Sequence, residues 1–233
     1  MIPLFKSQYS IGKSILTTEK ILDIAKINSL ERVVMVEDSF YGFRIFNQVF
    51  QEEGIPLVFG LRINVLQNEG DVNEKPSKLV LFAKNNQGIQ DLKRLYSDAS
   101  LSDKNSLVLS DYSDKDFENL KVCVPFYDSY VFNNLFFFGL SHIEISHLNP
   151  TYFIEDNNHP FDFQIRSVIK ELNVKTQMVK TILHHNKDDF EALQMYKAAC
   201  SRSGGKSPTF QNPNLNHFCS DEFCWESYKD ATT

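Results

Sequence analysis

VVMVEDSFYGFRIFNQVFQEEGIPLVFGLR, residues Val33 to Arg62, decides the fold class. Val33 to Val36 is a short apolar run of the kind buried in a parallel strand. After the polar turn Glu37-Asp38-Ser39, the residues Phe43, Phe46, Val49 and Phe50 recur at helical spacing. Gly54 stands where a helix commonly ends on a left-handed residue. A second apolar run, Ile55 to Phe59, follows at once. Strand, helix and strand in this order predict a βαβ unit with a right-handed parallel crossover. Ligands of such units sit beyond the carboxyl ends of the strands, which here carry Glu37-Asp38-Ser39 and Arg62.

The same alternation extends in both directions. Residues 2–5 predict a first strand, and Thr17 or Thr18 caps a helix with an apolar stripe of Ile21, Ile24 and Ala25. Residues 67–77 form a polar, turn-rich excursion. Downstream, Leu79–Ala83 reads as a buried strand and Asn86–Ser100 as a helix with Ile89, Leu92, Leu95 and Tyr96 on one face. Short strands are expected at Ser106–Ser110 and Val122–Pro125, with a helical turn at Asp114–Leu120 between them. The apolar run Leu135–Leu140 and the alternating Ser141–Ser146 also read as strands. A helix at Asn158–Leu172 behind a long loop, a strand at Gln177–Leu183 and a helix at Lys187–Cys200 complete the series. Residues 201–216 have loop chemistry, before a short helix near Asp221–Tyr228. The number of repeats favours an α/β barrel over a small open sheet, with a barrel over 1–200 and a loop-rich tail over 201–233.

Composition limits the function classes. With 233 residues, 42% of them hydrophobic and 20 of them Phe, the chain can fill a sizeable core. A net charge of −6 gives no global attraction to nucleic acid, so contact with DNA would be local or indirect. The first residues lack a signal-peptide core, and no apolar run approaches a membrane span. Cysteines 123, 200, 219 and 224 form no CxxC pair, which points to a soluble cytoplasmic protein with reduced thiols.

Residues 7–65 then resemble the opening of a known family: the PHP (polymerase and histidinol phosphatase) domain of the bacterial DNA polymerase III alpha subunit type. That family's motif runs H-x-H-S-x-Y-S, a strand ending T-D-H, an F-G pair, then G-I-x-P-I-I-G-x-E. The segment LVLFAKNNQGIQDLKRLY, Leu79 to Tyr96, is similar to the family's LvLLAkNneGyrNLirL. Ser106–Ser110 is similar to its gLivLSg strand, His142–Ile145 to its yLEiq strand, and Val174–Met195 to the segment carrying vATNDvHY. The resemblance implies a distorted (β/α)7 PHP-type barrel with, in active members, a three-metal phosphoesterase site. It also implies a place in DNA replication, as a platform for the remaining polymerase domains or subunit or for a proofreading exonuclease. The chain would then be either an N-terminal domain or a separately encoded piece.

The motif positions, carried across one by one, lose most of their ligands. Leu4 and Lys6 fall on the first His-x-His pair, and Lys13 on a following acidic position. The T-D-H triplet falls on Met35, Val36 and Glu37, or on Val36, Glu37 and Asp38. Arg62 takes the place of the Glu, while Leu183 and His185 take those of the late Asp and His. Zinc or manganese, the metals such a site would hold, need imidazoles and carboxylates, and cationic side chains repel them. The expectation is therefore a vestigial site holding no metal, in which Lys6, Lys13 and Arg62 pair with Glu37, Asp38 or Glu144. Two other readings remain: a metal-dependent PHP phosphoesterase or 3'-5' proofreading exonuclease with rearranged ligands, and a cavity whose three cations bind a phosphate or other anion.

Weaker patterns favour ordinary readings. His184-His185 with Asp188 or Asp189 reads as one buried histidine, one solvated histidine and a helix start. His217-x-Cys219-x4-Cys224 lacks the spacing and the fourth ligand of a zinc site. Ser203-Gly204-Gly205-Lys206-Ser207 lacks the leading glycine of a phosphate loop, and Phe136-Phe137-Phe138 reads as core strand.

Overall fold

The computed structural model describes residues 1–68, 76–136, 141, 143–200 and 220–232. Among these residues, eight strands and the helices between them confirm the α/β class: β1 Ile2–Phe5, β2 Val33–Glu37, β3 Leu57–Leu66, β4 Ser77–Ala83, β5 Leu107–Val108, β6 Leu120–Val124, β7 Thr151–Ile154 and β8 Thr176–Ile182. Their hydrogen-bonded order is β2-β1-β8-β7-β6-β4-β3-β5, and β2 also pairs with β3. Seven strands thus form a closed ring of pairings, with β5 attached outside it on β3. This is the expected PHP-type (β/α)7 barrel, and its distortion has a definite source. β4 runs antiparallel to both β3 and β6, while β1–β8, β6–β7 and β7–β8 are parallel.

Two compact units divide the chain. Unit 1 comprises Met1–Val58, Glu155–Asp162 and Val179–Thr233. In it, Thr17 caps α1 (Thr18–Ile27) by accepting the Lys20 N–H at 3.2 Å, and the predicted Ile21, Ile24 and Ala25 are buried. Helix α2 (Phe43–Glu52) buries Phe46 and Phe50 completely, each contributing about 1.5–3 kcal/mol. Gly54 follows with φ +69°, the left-handed value expected of it. Helix α7 (Phe190–Cys200) opens behind a capping box of Asn186 and Asp189, which places Asp188 and Asp189 at a helix start. The last helix, α8 (Trp225–Asp230), stacks Trp225 on Phe5 with ring centroids 5.7 Å apart.

Unit 2 comprises Phe59–Ile154 and Phe163–Met178. Its core is built from Leu61, Ile63, Leu79, Leu81, Leu92, Leu95, Val122 and Phe126. Helix α3 (Asn86–Leu101) buries Leu92 and Leu95 of the predicted face, together with Gly88 and Ala99, and leaves Ile89 and Tyr96 half-buried; Asn85 caps it through a 2.8 Å bond from the Gly88 N–H. Unit 2 also contains α4 (Asp114–Phe117), α5 (Tyr130–Phe136) and nearly all of α6 (Asp162–Glu171).

Three expectations fail here. Leu135 and Phe136, expected to open a strand, end helix α5 instead, because Ser129 starts that helix by bonding the N–H groups of Phe132 and Asn133. Phe137 and Phe138 lie outside the described residues. The described residues of 141–146 form no strand: Ile143 and Ile145 are buried and Glu144 exposed, but the ladder forms later, at Thr151–Ile154. Ser106–Ser110 keeps only a two-residue strand before a 3-10 turn at Leu109–Asp111. The predicted tail residues 201–216, with the Ser203–Ser207 pattern, and His217 and Cys219 lie outside the described residues. No described helix is long and apolar enough to cross a membrane.

Candidate functional site

The parallel register Phe5↔Met35 brings the residues after β1 and β2 out at the same end of unit 1. Lys6 and the pair Glu37-Asp38 therefore meet. The Lys6 Nζ lies 2.8 Å from Asp38 Oδ2, with side-chain exposures of 5% and 26%. Glu37 is buried, and its Oε1 accepts the Ser7 N–H at 2.8 Å while Oε2 accepts the Ser10 hydroxyl. Ser10 in turn accepts the Asp38 N–H at 3.2 Å. Burial pushes the Glu37 carboxyl above its ordinary range, against the Ser10 bond and the Lys6 charge, which act to lower it. The Ser14 hydroxyl, 2.8 Å from the Leu183 carbonyl and also close to the Lys6 carbonyl, fastens the loop that carries these groups.

A second buried carboxylate stands directly after β7. Glu155 follows β7 and accepts the Thr181 hydroxyl at 2.8 Å, the Thr181 N–H at 3.1 Å and the Asn157 amide at 2.9 Å. Burial again raises its carboxyl, opposed by these bonds. The Lys180 ammonium donates to the Asp156 carbonyl at 2.9 Å and lies 3.6 Å from Glu222. Leu183 is buried and apolar at the position expected to hold the late acid. His184 is fully buried, its Nδ1 2.7 Å from the Asn186 carbonyl, and burial lowers its pKa. His185 is half-buried and shifted the same way by burial.

The expected salt-bridge replacements divide. Lys6 pairs with Asp38. Lys13 is exposed in a turn and makes no ion pair among the described residues, so its expected role there is corrected. Arg62, in unit 2, pairs instead with Asp128 at 2.8 Å and also donates to the Tyr127 carbonyl at 3.0 Å. Asp128 sits at the tight turn after β6 with φ +60°, a conformation Asp tolerates. Glu144 is exposed, and its backbone N–H bonds Gln67 at 2.8 Å; it is no partner for the three cations.

A family model for the PHP domain matches residues 5–130, more than half of the chain. The chain belongs to the PHP domain family. Two solved structures are similar to this PHP domain. One is a provisionally named metal-dependent phosphoesterase from Bifidobacterium adolescentis, 12% identical, covering 77% of this chain and 87% of its own, with a TM-score of 0.46. The other is an amidohydrolase from Chromobacterium violaceum, solved with bound sulfate and no metal, 10% identical, covering 85% and 82%, with a TM-score of 0.33. At these scores neither likeness carries functional weight. No curated protein matches the chain.

The metal cluster implied by the family resemblance can be tested against this PHP domain's donor set. An ammonium has no lone pair for a metal, and Lys6 holds the nearest carboxylate. Both Glu37 oxygens already accept hydrogen bonds, from Ser7 and Ser10. Among the described residues no three His, Cys, Asp or Glu side chains converge as a ligand set, His184-His185 with Asp188 or Asp189 included. The described residues do not fit the group, and no catalytic step is routed through it.

Sequence reading missed Glu155, Asn157, Lys180 and Asp128. The first had a signal. TYFIED at Thr151–Asp156 repeats the pattern of VVMVED at Val33–Asp38, an apolar run ending in two acids, which marks a strand delivering a carboxylate to its end.

Proposed function

We propose that this PHP domain is a non-catalytic structural and interaction module of the replicase alpha-subunit type. The Lys6–Asp38 pair beside Glu37, which accepts from Ser7 and Ser10, supports the reading, because the resemblance expects metal ligands at these positions. The likeness of Leu79–Tyr96 to the replicase subtype supplies the replication context. Its partners in this reading are the remaining polymerase domains or subunit, or a proofreading exonuclease, and DNA is reached only through them. Charge substitution of this kind keeps the strand ends joined by hydrogen bonds where metal ions would join them in active members.

The test is elemental analysis of protein purified without chelator, followed by phosphomonoester hydrolysis with added zinc or manganese. Substoichiometric metal, no hydrolysis, and co-purification with a polymerase or exonuclease are the expected results. Stoichiometric metal with metal-dependent turnover would replace this reading by a PHP phosphoesterase or exonuclease with rearranged ligands.

A further inference from the structure

Unit 2 contains a cleft of ≈ 370 Å³, within the size range of ligand-binding pockets. Its floor is apolar, made by Leu109, Phe117 and Ile145, all buried. Its rim carries two carboxylates, Asp114 and Glu144, with His147 Nε2 3.4 Å from Asp114. Among the described residues no lysine or arginine lines it. Arg94, which stacks over Tyr112 at 5.9 Å, is committed to Asp116 at 2.7 Å. The Glu144 carboxylate has no hydrogen-bond or ion-pair partner among the described residues. Meanwhile the bond from its backbone N–H to Gln67 holds its segment in place.

We propose that this cleft receives the arginine side chain of a partner polypeptide. An apolar floor below two acids matches an alkyl stem ending in a cation. A planar guanidinium can take both Glu144 oxygens at once, which an ammonium cannot. The rim is open, with side-chain exposures of 74% for Asp114 and 48% for His147, so the occupant is a group presented from a larger body, not an enclosed metabolite. The proposal is independent of the metal question.

A short acetylated and amidated Gly-Arg-Gly peptide, titrated into the whole chain at low salt and followed by NMR, tests it. The expected result is saturable shifts at Ile145 and Tyr112, weakened about tenfold by Glu144→Gln and again by Asp114→Asn. The peptide with citrulline in place of arginine should not bind, and free agmatine should bind more weakly than the arginine peptide. The proposal is overturned if the arginine peptide shows no shifts at millimolar concentration, or if citrulline binds equally. Indifference to both variants would also sink it. Agmatine binding as tightly as the peptide would overturn the polypeptide source. Unchanged thermal melting of both variants, whose altered side chains are exposed, excludes misfolding as the cause.

Discussion

The acids of unit 1 and those of the unit 2 cleft are the same chemistry under opposite conditions. Glu37 and Glu155 are buried and enclosed by donors, among them Ser7 and Ser10 for Glu37 and Thr181 and Asn157 for Glu155. Glu144 and Asp114 stand in solvent over an apolar floor. A buried carboxylate without donors would cost several kcal/mol, so unit 1 has to satisfy its acids internally. An exposed carboxylate meets no such demand and remains available to a partner. Burial, more than residue type, therefore separates a structural acid from a recognition acid in this chain.

The largest effect comes from removing the cation that makes the first arrangement self-sufficient. Lys6→Met should destabilise the fold by about 2–4 kcal/mol, since it leaves Asp38 without its ammonium beside the buried Glu37; Asp38's partial exposure keeps the loss below the full cost of an orphaned buried charge. Urea denaturation measures it. A loss under about 0.5 kcal/mol, the usual size for an exposed substitution, would mean that the pair contributes nothing and the comparison is wrong.

The donor ring around Glu37 predicts a smaller effect with a pH signature. Burial, the largest cause, raises its carboxyl in the fold above the ordinary value of 4.5. The folded state thus holds that proton more tightly than the unfolded chain. Glu37's contribution is fully present below pH 4.5, and is lost as pH rises through the folded pKa. Ser10→Ala removes the hydrogen bond that pulls this pKa down, so the falling limb should extend to higher pH. At neutral pH the variant should lose about 1–3 kcal/mol. Stability against pH, compared in a Glu37→Gln background, isolates the group: there the extension should vanish. Its persistence would assign the limb to another acid, with Glu155, raised by the same cause, the next to examine.

How much of this was legible in sequence follows from the same physics. The βαβ core of Val33–Arg62, the Thr17 cap and the positive φ of Gly54 depend on local periodicity and backbone sterics, and all were readable. Ser141–Ser146 misled because alternate burial of a coil has the same period as a strand; only a ladder partner distinguishes them, and that is not local. Lys6 was readable from the motif as standing where the family resemblance expects a ligand. Its choice of Asp38, and the choice of Asp128 by Arg62, depend on which strand ends and turns become neighbours after folding. Glu155 lay within a segment read as a long loop, so its carboxylate was overlooked with its strand.

The smallest effect is the sharpest control on the comparison. Glu144→Gln removes a charge that no described side chain uses, so stability should change by no more than about 0.5 kcal/mol at any pH from acid to neutral. The same substitution at Glu37 removes a buried charge and should erase that acid's share of the pH dependence. Chemical denaturation of the two variants in parallel reads both. If Glu144→Gln destabilised as much as a change inside the Glu37 ring, the rim acid would be structural. The cleft would then lose its claim to a free carboxylate, and burial would no longer separate the two kinds of acid.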